Sequence, residues 1–156
     1  NEFRKYFPIM DRSIIAFRYK MGYTYNLQKT EMLPTYYKFE LGGQSSLRAW
    51  PNAQSYNNTG GKLIYDLVNA EYRFSIYREF GGVFFYDAGR LYDDILAYPN
   101  TKLSWNYGLG VSYNSRFGPI RIDYALPYKY NLQAGTLNST NDYNKGQIHA
   151  SLLNIF

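Results

Sequence analysis

Apolar and polar side chains alternate with a period of two along most of the chain, most clearly from Leu103 to Tyr113. The odd positions of this segment are apolar or aromatic, whereas the even positions are serine, asparagine and glycine. Successive side chains of a β-strand point to opposite faces of a sheet, so the pattern predicts a strand with one apolar face. The other face carries small polar residues where a soluble strand would more often carry charge, which favours lipid on the apolar side.

The same alternation recurs in other segments, and together they predict about seven strands. These segments are Glu2–Pro8, Ser13–Tyr25, Lys62–Ile76, Phe80–Gly89, Leu103–Tyr113, Ile120–Leu126 and Gly146–Phe156. The fourth segment alternates less cleanly, because Val83 and Phe85 fall on the same face as Asp87. No helical stretch is expected, and the predicted fold class is all-β.

The predicted strands are joined by short and long connections in strict alternation. Tight turns at one end and long polar loops at the other are typical of outer-membrane β-barrels, whose tight turns face the periplasm. The pattern therefore predicts a transmembrane antiparallel β-barrel, with a soluble β-sandwich of uneven loops as the alternative. The short connections lie near Ile9–Arg12, Tyr77–Glu79 and Asn114–Phe117, and the long ones span Asn26–Gly61, Arg90–Lys102 and Tyr128–Lys145.

An odd number of strands indicates an incomplete barrel. Single-chain bacterial barrels have an even strand count with both termini on the periplasmic side, so the first strand needs a partner before Asn1. An open sheet edge in hydrocarbon would leave backbone groups unpaired at high cost. We therefore expect residues 1–156 to be the C-terminal part of a single β-barrel domain, with Phe156 at the periplasmic rim.

Composition agrees with this class and excludes several others. Aromatic residues make up 20 % of the 156 residues, whereas charged residues make up only 19 %. No apolar run approaches the roughly 20 residues of a transmembrane helix. The absence of cysteine excludes disulfides and thiolate chemistry, and the net charge of +5 lacks the clustered basic run typical of nucleic-acid binding. No nucleotide-binding motif occurs, so neither a cofactor nor a nucleic-acid partner is expected.

The first long connection contains the most informative segment, Leu41–Pro51. Its paired glycines, Gly42 and Gly43, permit a tight backbone, and the single cation Arg48 lies between apolar neighbours such as Trp50. The segment resembles the loop signature of the BamA/TamA outer-membrane assembly family, a bacterial surface antigen type of barrel. That signature pairs glycines with a later Ser-(Val/Ile/Leu)-Arg-Gly-aromatic sequence.

Three further stretches follow in the order of the same family. Asn69–Phe74 resembles the glutamate-bearing strand after the loop, and Val83–Gly89 resembles a strand with a Phe-x-Asp-x-Gly pattern. Tyr107–Val111 together with Phe117–Tyr124 resembles the Gly-x-Gly and Gly-Pro-(Ile/Leu)-Arg-x-Asp segment near the end of the family's barrel. The terminal aromatic residue Phe156 resembles the recognition signal at the end of the family's last strand. The likeness spans nearly the whole chain.

The resemblance implies the C-terminal strands of a larger barrel of about sixteen strands. The loop, at about 26–61, would fold back into the lumen, and Arg48 would pair there with Glu71 and Asp87 on the barrel wall. A guanidinium presents a planar fork of donors that matches carboxylates, which suits such a lock in a partly dehydrated interior. One departure is Ala49, which stands where the family usually has glycine.

The resemblance also implies a weak lateral seam at the last strand, where the barrel opens and offers an edge to an incoming strand. Gly146, Asn154 and Phe156 are the expected seam residues, and the interruptions at Gly146 and Asn154 would loosen packing there. Asn154 and Ala150 share the face of the strand's apolar residues, which weakens the usual aromatic alternation.

The implied protein is a bacterial outer-membrane assembly or insertion factor of Gram-negative type, and not an enzyme. Its implied partners are outer-membrane lipid, unfolded outer-membrane proteins, upstream periplasmic docking domains and accessory lipoproteins. A two-partner-secretion transport pore and a structural or adhesive barrel remain open, because the modules that distinguish these branches lie outside the sequence.

The single residues have simpler interpretations as well. Arg48 alone would be compatible with a loop cation that satisfies nearby carbonyls. Glu71 and Asp87 alone would be compatible with a glycosidase carboxylate pair, although no pocket signature accompanies them. His149, the only histidine, fits a hydrogen-bonding role on the lumenal face better than metal binding.

Overall fold

Seven strands form one antiparallel sheet in which each strand pairs with its neighbours in sequence order. A computed structural model describes residues 1–25, 33–50, 61–101, 103–128 and 146–152. The strand number and the all-β class agree with the alternation in the sequence. The strands are β1 (Glu2–Met10), β2 (Ser13–Tyr23), β3 (Ile64–Tyr77), β4 (Phe80–Tyr92), β5 (Ser104–Ser115), β6 (Gly118–Pro127) and β7 (Gln147–Leu152).

Most strands extend further than the alternation predicts at the end with the short turns. The short connections shrink to two residues each, at 11–12, 78–79 and 116–117. Backbone pairing continues through Pro119 and Asn114, which pair with each other although neither fits the apolar pattern. The ladder depends on backbone groups, so it outlasts the side-chain signal near a turn.

The expectation of no helical stretch is wrong in detail. Two 3-10 helices lie in the long connections, at Thr35–Tyr37 and Ile95–Asn100. The second begins where the Asp94 carboxylate accepts a hydrogen bond from the Leu96 N–H at 3.0 Å, a local capping contact that has no periodic signature. No helix among the described residues has the length and hydropathy that crossing a membrane would require.

The sheet has two faces of opposite character. We call the face against which residues 33–50 lie the inner face, and the opposite one the outer face. The outer face is apolar and open: Phe84, Leu109 and Ile122 are each more than half exposed. The inner face carries buried polar and charged side chains, namely Arg18, Asn69, Glu71, Asp87, Asn106, Arg121 and Asp123. Such an outer face needs an apolar surrounding, because contact between water and so much apolar surface is unfavourable.

The sheet curves strongly around the inner face. Glu71 on β3 and Arg121 on β6 are separated by three strand spacings, or about 14 Å in a flat sheet. Their side chains nevertheless meet at 2.9 Å. Two glycines of the intervening β5 make room: a Cβ at Gly108 would overlap the Phe85 ring, and one at Gly110 would overlap the Asp123 carboxylate. The glycines of the polar face therefore allow charged groups from distant strands to converge.

The segment 33–50 packs against the inner face through an apolar cluster. Leu41, Leu47 and Trp50 of the loop are nearly inaccessible to solvent and join Phe85 and Val83 of β4. This contact explains the imperfect alternation of β4, because its inner face must meet an apolar loop as well as charged groups. The loop thus supplies the apolar core on a face that is otherwise polar.

Candidate functional site

The turn at residues 42–50 presents Arg48 to the inner face. Gly42 and Gly43 have φ angles of 129° and 82°, a region that favours glycine. The Gly43 N–H donates to the Trp50 carbonyl at 2.8 Å and closes the turn. Among the described residues the only non-glycine residue with positive φ is Arg78. Ala49 therefore needs no left-handed backbone, and its methyl group is fully buried.

Arg48 forms a buried fork with carboxylates from three strands. Its Nε and Nη2 donate to the two oxygens of Asp87 at 2.8 and 2.7 Å. Its Nη1 donates to Glu71 at 2.6 Å and to Asp123 at 3.2 Å. The Phe85 ring lies under the Arg48 guanidinium and shields one face of it. The distance from the ring centroid to the guanidinium carbon Cζ is 3.6 Å. The arrangement is bidentate and dehydrated, the geometry in which charge-assisted hydrogen bonds are strong.

Glu71 joins this fork to further cations. Arg121 donates to both of its oxygens at 2.9 Å, and Arg73 donates to it at 2.8 Å. Arg121 also donates to Asp123 at 2.6 Å. Three guanidinium groups (Arg48, Arg73, Arg121) therefore face three carboxylates (Glu71, Asp87, Asp123), which we call the ion-pair network. Equal numbers of opposite charges make the burial of so many ions tolerable.

Asp87 differs from Glu71 because its remaining contacts are neutral. The side-chain amides of Asn69 and Asn106 donate to its two oxygens at 2.7 and 2.8 Å. Arg18 in turn donates to the side-chain oxygen Oδ1 of Asn69 and, at 2.7 Å, to the main-chain carbonyl of Ser45 in the loop. Among these contacts Arg48 supplies the only cation bonded to Asp87. Asp87 thus depends on the loop for its charge balance.

A second contact joins the loop to β7, the last strand of the sheet. The His149 Nε2 on β7 lies 2.6 Å from the main-chain carbonyl oxygen of Arg48. This is a hydrogen-bonding position on the inner face, as the alternation indicates. Gly146, just before β7, has a φ angle of 78°. The other two expected seam residues, Asn154 and Phe156, lie outside the described residues.

The structure brings Arg48 into contact with Glu71 and Asp87. It adds inner-wall residues whose contacts no single motif identifies: Asp123 bonds to Arg48, Arg121 to Glu71, and Asn106 to Asp87. The sequence does indicate that these residues point to the inner face, since each occupies the polar face of its strand. Strand register would align Asp87 with Asn106, but only curvature brings β6 to β3.

These features define a class of protein. A single antiparallel sheet in sequence order, apolar outside and charged inside, is the architecture of a transmembrane β-barrel wall. The Omp85 superfamily domain matches residues 1–150, and the chain belongs to this superfamily.

A solved structure has the same architecture. The crystal structure of BamA from Haemophilus ducreyi lacking POTRA domains 1–3 matches 95 % of this chain with a TM-score of 0.65 and 19 % sequence identity. This likeness concerns the fold. The chain spans 32 % of that protein, or about a third of its length. No curated protein matches the chain in sequence.

Proposed function

We propose that the chain is the C-terminal part of a bacterial outer-membrane barrel that helps other outer-membrane proteins to insert and fold. Membership of the Omp85 superfamily and the barrel-wall fold support this proposal. In it, the outer face contacts lipid, the inner face lines the lumen, and the loop at about 26–61, of which residues 33–50 are described and 26–32 and 51–60 lie outside the described residues, enters that lumen. No covalent bond is made or broken, and no cofactor takes part.

The observation that carries the proposal is the burial of Arg48 among carboxylates from β3, β4 and β6. Arg48 is only 2 % exposed, and Asp87 is fully buried. A loop held on three strands through the Arg48 side chain braces the curved wall, and among the described residues its isolated backbone bridge, from Phe39 to Lys62, lies outside the strands. The wall can then keep its shape while a neighbouring edge opens, which an insertion factor requires.

The edge that would open is β7, with Gly146, Asn154 and Phe156 as the seam residues. An exposed strand edge presents unpaired N–H and C=O groups, and an incoming strand satisfies them by β-augmentation. The substrate's own strand pairing and burial in lipid would supply the free energy. The proposed partners are therefore outer-membrane lipid and unfolded outer-membrane proteins, with upstream periplasmic docking domains and accessory lipoproteins delivering them.

Replacing the gene in its source bacterium with an Arg48→Ala version tests the proposal. Folded outer-membrane barrel proteins resist unfolding in detergent until heated, so their folded fraction is measured by gel mobility with and without heating. We expect this fraction to fall although the variant itself reaches the outer membrane in normal amounts. Arg116→Ala is the matched control, because Arg116 is exposed in a two-residue turn.

Other outcomes identify other functions. Normal barrel assembly together with loss of one secreted protein, and channel conductance coupled to its export, would indicate a secretion pore. If depletion of the whole protein changes neither assembly nor secretion, the barrel is structural or adhesive and the proposal is wrong.

A further inference from the structure

Residue Arg48 is held from two sides by different parts of the sheet. Its side chain is bonded to Glu71, Asp87 and Asp123, on β3, β4 and β6. Its main-chain carbonyl is bonded to His149 on β7 at 2.6 Å. A carbonyl oxygen only accepts, so Nε2 of His149 carries a hydrogen and donates it. The lumenal loop therefore has a direct contact with the strand at which we place the seam.

The position of His149 makes this contact dependent on two conditions. His149 is paired with Asp123 in the ladder between β6 and β7, and Asp123 itself contacts Arg48. The histidine ring reaches the Arg48 carbonyl when β7 is paired with β6 and when the loop is seated on the inner face. Displacing either the strand or the loop breaks the bond.

We infer that His149 is a positioning residue that couples the seating of the loop to the pairing of β7. The bond forms in the state where both elements are in place, so it stabilises each element only when the other is present. Thermodynamic linkage makes the effect reciprocal: unseating the loop loosens β7 by the same factor by which releasing β7 loosens the loop. The significance of this coupling for an opening seam rests on the function proposed above.

The described part of β7 is well placed to respond to one hydrogen bond. It has 6 residues, whereas the other six strands have 9 to 14. Its outward side chains Ile148 and Leu152 are 72 % and 77 % exposed, so they add little packing within the sheet. One contact is consequently a larger share of what holds the described residues of β7 than it would be for β3 or β4.

Hydrogen exchange of backbone amides tests the coupling in the full-length protein in lipid nanodiscs. His149→Val removes the donor and keeps a side chain suited to a strand. We expect exchange to become about three- to tenfold faster in both 42–50 and 147–152, the range expected for one net hydrogen bond. His149→Gln retains a donor at a similar distance from the backbone and is expected to return both rates to within about twofold of the parent.

Two further variants separate coupling from general loosening. Ser151→Ala changes a buried inner-face side chain of β7 whose hydroxyl has no hydrogen-bond partner among the described residues, and should leave both rates unchanged. Arg48→Ala acts from the other side: by unseating the loop it should accelerate exchange in 147–152 although no β7 residue is altered. Faster exchange in only one segment of His149→Val, an unchanged β7 in Arg48→Ala, or an equal effect of Ser151→Ala would each overturn the inference.

The exchange measurements need no substrate protein, so they are independent of the proposed function. Coupled exchange with normal assembly of other barrel proteins would refute the insertion function and leave the coupling intact. Uncoupled exchange with an assembly defect in Arg48→Ala would refute the coupling alone.

Discussion

The pair of Arg48 and Asp87 offers the sharpest test of the ion-pair network. Removing Arg48 leaves Asp87 fully buried with two amide donors and no bonded cation. Breaking a buried ion pair from one side typically costs about 3–5 kcal/mol, because the other charge stays uncompensated. Arg48→Ala should therefore weaken loop seating by this amount, a factor of between a hundred and several thousand in the seating equilibrium.

Asp87→Asn should cost less, about 1–3 kcal/mol, because Arg48 keeps Glu71 and Asp123 as partners. In the double variant no carboxylate remains at position 87 to be left alone. We expect its cost to be no greater than that of Arg48→Ala by itself, which gives a favourable interaction energy of at least the cost of Asp87→Asn, about 1–3 kcal/mol, in the cycle.

Two measurements on the full-length protein in lipid vesicles give these free energies. Equilibrium unfolding in urea reports the barrel, and hydrogen exchange of 42–50 reports the loop. Arg116→Ala, in an exposed turn, should change neither by more than about 0.5 kcal/mol. If the effects of Arg48→Ala and Asp87→Asn simply add, or if loop exchange in Arg48→Ala equals that of the parent, Arg48 does not hold the loop and the reasoning fails.

Three other substitutions test the faces and the packing. Leu109→Arg on the outer face should lower the free energy of unfolding in lipid by about 2–4 kcal/mol if it lies near the bilayer midplane; unchanged stability would mean that this face does not meet lipid. Gly110→Ala places a methyl group on the Asp123 carboxylate and should lower the free energy of unfolding by about 1–3 kcal/mol, with faster hydrogen exchange in the loop. An exchange rate equal to that of the parent would show that the ion-pair network can shift to accommodate the methyl group. Leu47→Ala should destabilise loop seating by about 2–5 kcal/mol, whereas Leu96→Ala, at an 80 % exposed site, should leave it unchanged. The rate of proteolytic cleavage in the loop measures this difference, and equal rates in the two variants would show that Leu47 does not hold the loop.

Part of the candidate site is visible in the sequence because it is local. The turn around Arg48 is encoded by Gly42 and Gly43, whose positive φ angles match what two adjacent glycines permit. The inward direction of Glu71 follows from alternation along β3. The role of His149 as a hydrogen-bonding residue of the inner face follows in the same way, although its partner does not.

Other parts of the site depend on distances that no local pattern contains. Arg121 and Asp123 alternate correctly on β6, but nothing in that strand indicates that β3 lies within reach. Phe85 looks like an error in alternation until the loop and the Arg48 guanidinium are placed against it. The 3-10 helix at Ile95–Asn100 depends on one capping carboxylate and has no periodicity to announce it.

The sequence by itself determined the strands, their order along the sheet and the face to which each side chain points. It did so because a period of two is a property of the single strand and the three short turns force the strands that they join to pair. Only the tertiary structure decided which inward side chains meet. Their meeting depends on how far the sheet bends and on where a distant loop settles, and both are set by the packing of all strands together.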